Sequence, residues 1–208
     1  MRNIVYFFVF DGFADWGAAL ALCEIRRPGD YRVRTVGLRR APVQSMGGLT
    51  VMPDLTVDEV DSRHGALLIL PGGTAWERGE NGALVAALPQ WLAKGMAIGA
   101  LCAGVLALAR AGLLERRWHT ANYPGYIETF EPGYAGSAQF DASALAVGDA
   151  NLITASAFGG VEFAREVIRL LDLYDARDSE AWYRLYKYGD PPSWLVAETA
   201  PAEALIER

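Results

Sequence analysis

The chain has 208 residues, 52% of them hydrophobic, and a formal net charge of -6. That is enough apolar material for one real core, and the scattered Lys and Arg form no phosphate-tracking stripe, which argues against nucleic acid as a partner. No apolar run reaches membrane-span length, and two cysteines, Cys23 and Cys102, are too few for a disulfide framework, so a cytoplasmic protein with reduced thiols is expected.

Asn3 to Phe10 reads as a buried strand, because it is a short continuous apolar run closed by Asp11-Gly12. Helical spacing follows from Asp15 to Arg27, with Cys23 reading as a small core residue, and Pro28-Gly29 stops it. Tyr31 to Leu38 alternates as a strand, and Val43 to Val60 reads as a β-ribbon broken by Gly47-Gly48 and Pro53. Ala66 to Leu70 is an apolar strand leading into Pro71-Gly72-Gly73, and Gly82 to Lys94 is a helix.

Ala97 to Leu101 is the next strand, and Ala103 to Ala111 a helix stopped by Gly112. Arg117 to Ala121 is a candidate strand, and "LAVGDANLITA" a strand pair turning on Gly148-Asp149. Gly160 to Leu173 is strongly amphipathic, and Ser179 to Lys187 reads as a short helix. The expected organisation is a single domain over residues 1–190 and a C-terminal extension from Pro191. Alternating strands and helices imply an α/β sandwich: a mostly parallel sheet with helices on both faces and ligands bound beyond the carboxyl ends of the strands.

Cys102 stands at that edge, between strand and helix, flanked by the small residues Ala100, Ala103 and Gly104. A nucleophile on such a turn projects out of the sheet, and the following helix points its N–H groups at the sulfur, which favours thiolate. The backbone N–H groups of Ala103 and Gly73 are candidates for an oxyanion hole, a glycine suiting a place where substrate meets bare backbone. His64 reads as an exposed turn residue, Glu77 as a charge at a helix start in preference to a pocket-lining residue, and Tyr123, Pro124 and Tyr126 as a wall of the pocket. With two histidines in the chain and no Cys or carboxylate cluster beside them, no metal and no cofactor are expected.

"ALCAGVLALARAGLL", together with "LLILPGG", "FVFDGFADW" and "VGDANLITASAFGGVEFAREVIRLL", resembles the ThiJ/PfpI superfamily, relatives of the class I glutamine amidotransferases. The resemblance implies a flavodoxin-like three-layer sandwich, usually a homodimer, with Cys102 on a nucleophile elbow. It implies a small-molecule carbonyl or amide substrate, with activities in the superfamily ranging from amidase or peptidase to glyoxalase or deglycase, isonitrile hydration and redox sensing. Two positions depart from the pattern. The place of the usual proton-sharing glutamate is held by Gly17, leaving Asp15 as the nearest carboxylate, and the place of the usual histidine is held by Asn122, with His119 three residues earlier. His119 is the candidate base if a bulge brings it to the sulfur. Without an acid and a base, a non-catalytic thiol sensor or ligand-binding relative is the alternative.

Overall fold

In the computed structural model, which describes residues 2–193, seven strands form one sheet in the order β5-β2-β1-β6-β7-β9-β8. The strands are β1 (Ile4–Phe8), β2 (Arg32–Gly37), β5 (Leu55–Thr56), β6 (Gly65–Leu70), β7 (Ala97–Leu101), β8 (Ala146–Asp149) and β9 (Leu152–Ala155). All pairings are parallel except β8 with β9. The central strands are apolar on both faces because both are covered: Val5, Phe8, Leu67 to Leu70 and Ile98 are at most 1% exposed.

Helices α1 (Asp15–Arg26) and α6 (Gly160–Leu170) pack together on one side of the sheet. On the other lie α3 (Gly82–Ala93) and α4 (Val105–Arg110), with the short helices α2 (Thr74–Glu77) and α5 (Tyr126–Phe130) beside α4. This is the α/β sandwich expected from the alternating pattern, in the flavodoxin-like form that the resemblance implies. The described chain divides into a compact unit ending at Leu173 and a second beginning at Tyr174, which carries α7 (Ala176–Tyr188). In α7 the Trp182 and Tyr186 rings meet at 4.7 Å. The extension expected from Pro191 lies, beyond Ser193, outside the described residues.

Several readings differ from expectation, α7 for one starting at Ala176 rather than Ser179. Only β3 (Val43–Gln44) and β4 (Thr50–Val51) form a ribbon, while β5 leaves it to lengthen the main sheet beside β2, Pro53 marking the break. Arg117 to Ala121 forms no strand, only a single bridge between His119 and Phe140. Cys23 is exposed on α1, and the buried residue beside it is Glu24, whose carboxylate pairs with Arg27 at 2.9 Å. A buried carboxylate is tolerated there because its partner comes from the next turn of the same helix.

Candidate active site

The carboxyl ends of β1, β6, β7 and β9 meet at one edge, and β7 delivers Cys102 to it. Cys102 has φ of 54°, a left-handed conformation costing about 1–2 kcal/mol for a residue with a Cβ. Close approach of the neighbouring chain holds it there. A Cβ on Gly104 would lie 2.5 Å from the Leu70 carbonyl oxygen, and one on Gly72 would lie 2.9 Å from Cys102 Cβ and 3.1 Å from Sγ. Gly73, at φ of 145°, turns the next peptide where a side chain would strike the Phe10 ring at 2.7 Å. The helix after Cys102 is shorter than expected: residues 102–104 form a 3₁₀ turn and α4 runs only from Val105 to Arg110, before Gly112 stops it at φ of 68°. The sharp elbow therefore owes more to steric closure than to a long helix.

The partner of the sulfur is Asn122. Thr120 docks its segment on β9, its N–H donating to Thr154 Oγ1 at 2.9 Å and its hydroxyl to the Ala144 carbonyl at 3.0 Å. Two residues on, the Asn122 carboxamide is fixed at both ends. Oδ1 accepts from the Ala157 N–H at 2.9 Å, which leaves Nδ2 to donate to Cys102 Sγ at 3.6 Å. This bond stabilises negative charge on sulfur but carries no titratable proton.

His119 is not brought to the sulfur, which corrects the candidate base. It is fully buried, and both ring nitrogens are spent: Nδ1 donates to the Arg117 carbonyl at 2.6 Å, and Nε2 accepts from the Tyr134 hydroxyl. A carbonyl can only accept, so these partners fix the neutral tautomer. Burial holds the imidazole below its usual range and pushes the Tyr134 hydroxyl up to about 12. Asn122 and His119 lie three residues apart along an extended segment, and so on opposite sides of it.

Asp15 is likewise committed elsewhere. Its Oδ2 accepts from the Ser45 hydroxyl at 2.6 Å and from the Gly47 N–H at 3.1 Å, clamping the β3–β4 ribbon to the start of α1. The Ser45 hydroxyl, seconded by backbone N–H groups, holds this carboxyl below the usual carboxylate range. Gly17 faces nearly open space, the nearest atom to a Cβ there being Leu101 Cδ2 at 3.8 Å. The carboxylate that does approach the site is Glu77, at the end of α2. Its Oε1 accepts from the Tyr126 hydroxyl at 2.8 Å, and burial together with Glu77 and the nearby Cys102 pushes that hydroxyl well above its usual range. Forty-nine residues separate the pair, so no local pattern announced the contact. The Tyr123 and Tyr126 rings meet edge to face, 5.1 Å apart.

The sequence matches the DJ-1/PfpI family over residues 3–170. The chain belongs to the DJ-1/PfpI family. It is 33% identical to the uncharacterized protease YoaZ of Bacillus subtilis over 195 residues, covering 90% of this chain and 92% of that one. A crystal structure of a thiJ/pfpI family protein from Bacillus anthracis superposes with a TM-score of 0.86 at 32% identity, covering 91% of this chain and 92% of that one. The deglycase TK1284 of Thermococcus kodakarensis is 33% identical over 112 residues, 53% of this chain and 67% of its own. Among DJ-1/PfpI proteins, then, relatives named protease and deglycase both resemble this chain, and the elbow with Asn122 and Glu77 describes its own version of the site.

Proposed function

We propose that this DJ-1/PfpI protein performs cysteine-dependent chemistry on a small carbonyl or amide substrate, with addition to a reactive carbonyl favoured over amide hydrolysis. The observation that carries the proposal is the strained Cys102 with an amide N–H, rather than a titratable base, at its sulfur. The thiolate adds to an aldehyde carbon, forming a C–S bond while the carbonyl electron pair moves to oxygen. The N–H groups of Gly73 and Ala103 are the proposed donors to that oxyanion, each worth about 3 kcal/mol in such a role, and solvent supplies the proton that completes the hemithioacetal. Amide cleavage additionally needs a proton delivered to the departing amine; neither Asn122 nor the committed His119 supplies one, and the Tyr126 proton is held by Glu77 on a hydroxyl raised well above its usual range. The working unit is proposed to be a cytoplasmic homodimer acting on a small molecule, without nucleic acid, membrane, metal or cofactor.

Asn122 and Gly17 support a second reading, a thiol sensor. There the thiolate attacks a peroxide oxygen, the O–O bond breaks, hydroxide leaves, and sulfenic acid remains. Addition of a 2-oxoaldehyde such as methylglyoxal, followed by loss of free thiol and by native mass and set beside a panel of peptide amides, separates the two. The expected result is one equivalent of hemithioacetal at Cys102, absent in Cys102→Ser, with amide cleavage negligible in both proteins. Aldehyde uptake undiminished in Cys102→Ser contradicts the first reading, and no adduct with stoichiometric sulfenic acid formation favours the sensor.

A further inference from the structure

Glu77 is a half-buried carboxylate at the Cys102 site with no ion-pair partner among the described residues. The cation next to it in sequence, Arg78, is engaged by Glu80 at 2.6 Å and Thr74 at 2.8 Å. Arg110, which approaches the same helix, donates to the Trp76 carbonyl at 3.1 Å and pairs with Glu131. Arg78 acts on Glu77 only through space, so the carboxylate keeps hydrogen-bonding capacity for whatever enters the site.

Its position is well determined. The Tyr126 hydroxyl donates to Oε1, and the Tyr126 ring is itself held edge-on between Tyr123 and Phe130, with centroids 5.1 and 5.2 Å away. Tyr126 is 3% exposed, whereas Tyr123 is 55% exposed and offers ring surface outward. With its one proton given to Glu77, buried Tyr126 fixes the carboxylate and has no donor left for an anion. This side of the site therefore presents a carboxylate and an exposed aromatic ring. The two together suit an ammonium or guanidinium group, which gains an ion pair and ring contact, and they disfavour a carboxylate.

We infer that Glu77 is a specificity-determining residue that selects, for reaction at Cys102, carbonyl or amide compounds bearing an ammonium or guanidinium group. This rests on the proposed reactivity of Cys102 and adds the charge of its substrate. Three methanethiosulfonate reagents of matched chemistry test it: one carrying a trimethylammonium group, one neutral methyl reagent and one carrying a sulfonate. Each transfers its thioalkyl group to the sulfur, forming a disulfide and releasing methanesulfinate. Labelling rates at Cys102 are read by peptide mass and normalised to those of a free small thiol.

The expected result is a cation-to-anion rate ratio about tenfold above that of the free thiol, falling towards the free-thiol value in Glu77→Gln and on raising salt. Tyr126→Phe, which frees the carboxylate to move, lowers the ratio in part. A ratio equal to the free thiol's, or one unchanged in Glu77→Gln, overturns the inference while leaving Cys102 reactive. Cys102 resisting all three reagents instead overturns the proposed function, and this inference with it.

Discussion

Asn122→Asp is expected to slow alkylation of Cys102 at pH 8 by at least about 100-fold. The change is isosteric and keeps the acceptor for the Ala157 N–H, so the segment stays docked. It replaces the Nδ2 donor, 3.6 Å from the sulfur, by an oxygen that repels it. A hydrogen bond to a charged group is worth about 1.5–3 kcal/mol, or roughly 10- to 150-fold in rate where the charge develops, and carboxylate repulsion adds to the loss. Asn122→Ala, which removes the donor without adding charge, loses about tenfold by the same reasoning. Single-turnover labelling with iodoacetamide measures both. Rates within threefold of wild type in Asn122→Asp would show that the amide has no part in activating the sulfur.

Gly104→Ala carries the largest expected cost in stability. Its backbone is ordinary, φ of -58°, so glycine is not needed there for conformation. The new methyl would sit 2.5 Å from the Leu70 oxygen and 2.9 Å from the Pro71 oxygen, both main-chain atoms at the end of a central strand that cannot swing aside. Relief requires β6 and β7 to part at the elbow, at a cost of about 3 kcal/mol or more, which for a chain of this size lowers Tm by roughly 6–12 °C. Gly82→Ala is the control. It lies at the start of α3 with nothing within 4 Å of a Cβ, and is expected to stabilise by about 0.5–1 kcal/mol. Thermal unfolding of the two variants decides the matter, and a Tm for Gly104→Ala equal to wild type would contradict the packing described.

What the sequence disclosed follows the range of the interactions involved. Strands β1, β6 and β7 were legible because strands buried on both faces are continuously apolar, and the glycines at 72, 73 and 104 mark the turns that bring their ends together. Of the apolar face that helical spacing gives α6, Phe163, Ala164, Val167 and Ile168 are buried while Val161 and Leu170 are only half-buried, and the helix ends at Leu170 before the chain reverses at Asp172, φ of 51°. Long-range polar commitments were not legible. His119 lost its availability to Tyr134, fifteen residues away, and Asp15 to Ser45, thirty away. Glu77 gained its place at the site through Tyr126, and exposed Cys23 sits on a helix whose buried side holds a paired glutamate. For His119, Asp15 and Glu77 the residue type gave the chemistry and a distant partner decided its use.

Competitive labelling of the two cysteines in one molecule tests most directly whether the elbow activates Cys102. Cys23 is exposed and Cys102 only partly so, so access alone makes Cys23 the faster to react with substoichiometric iodoacetamide at pH 7. Activation at the elbow predicts the reverse, with Cys102 labelled at least about ten times faster and the order restored to Cys23 first in Asn122→Asp. Preferential labelling of Cys23 in the wild-type protein would contradict the account.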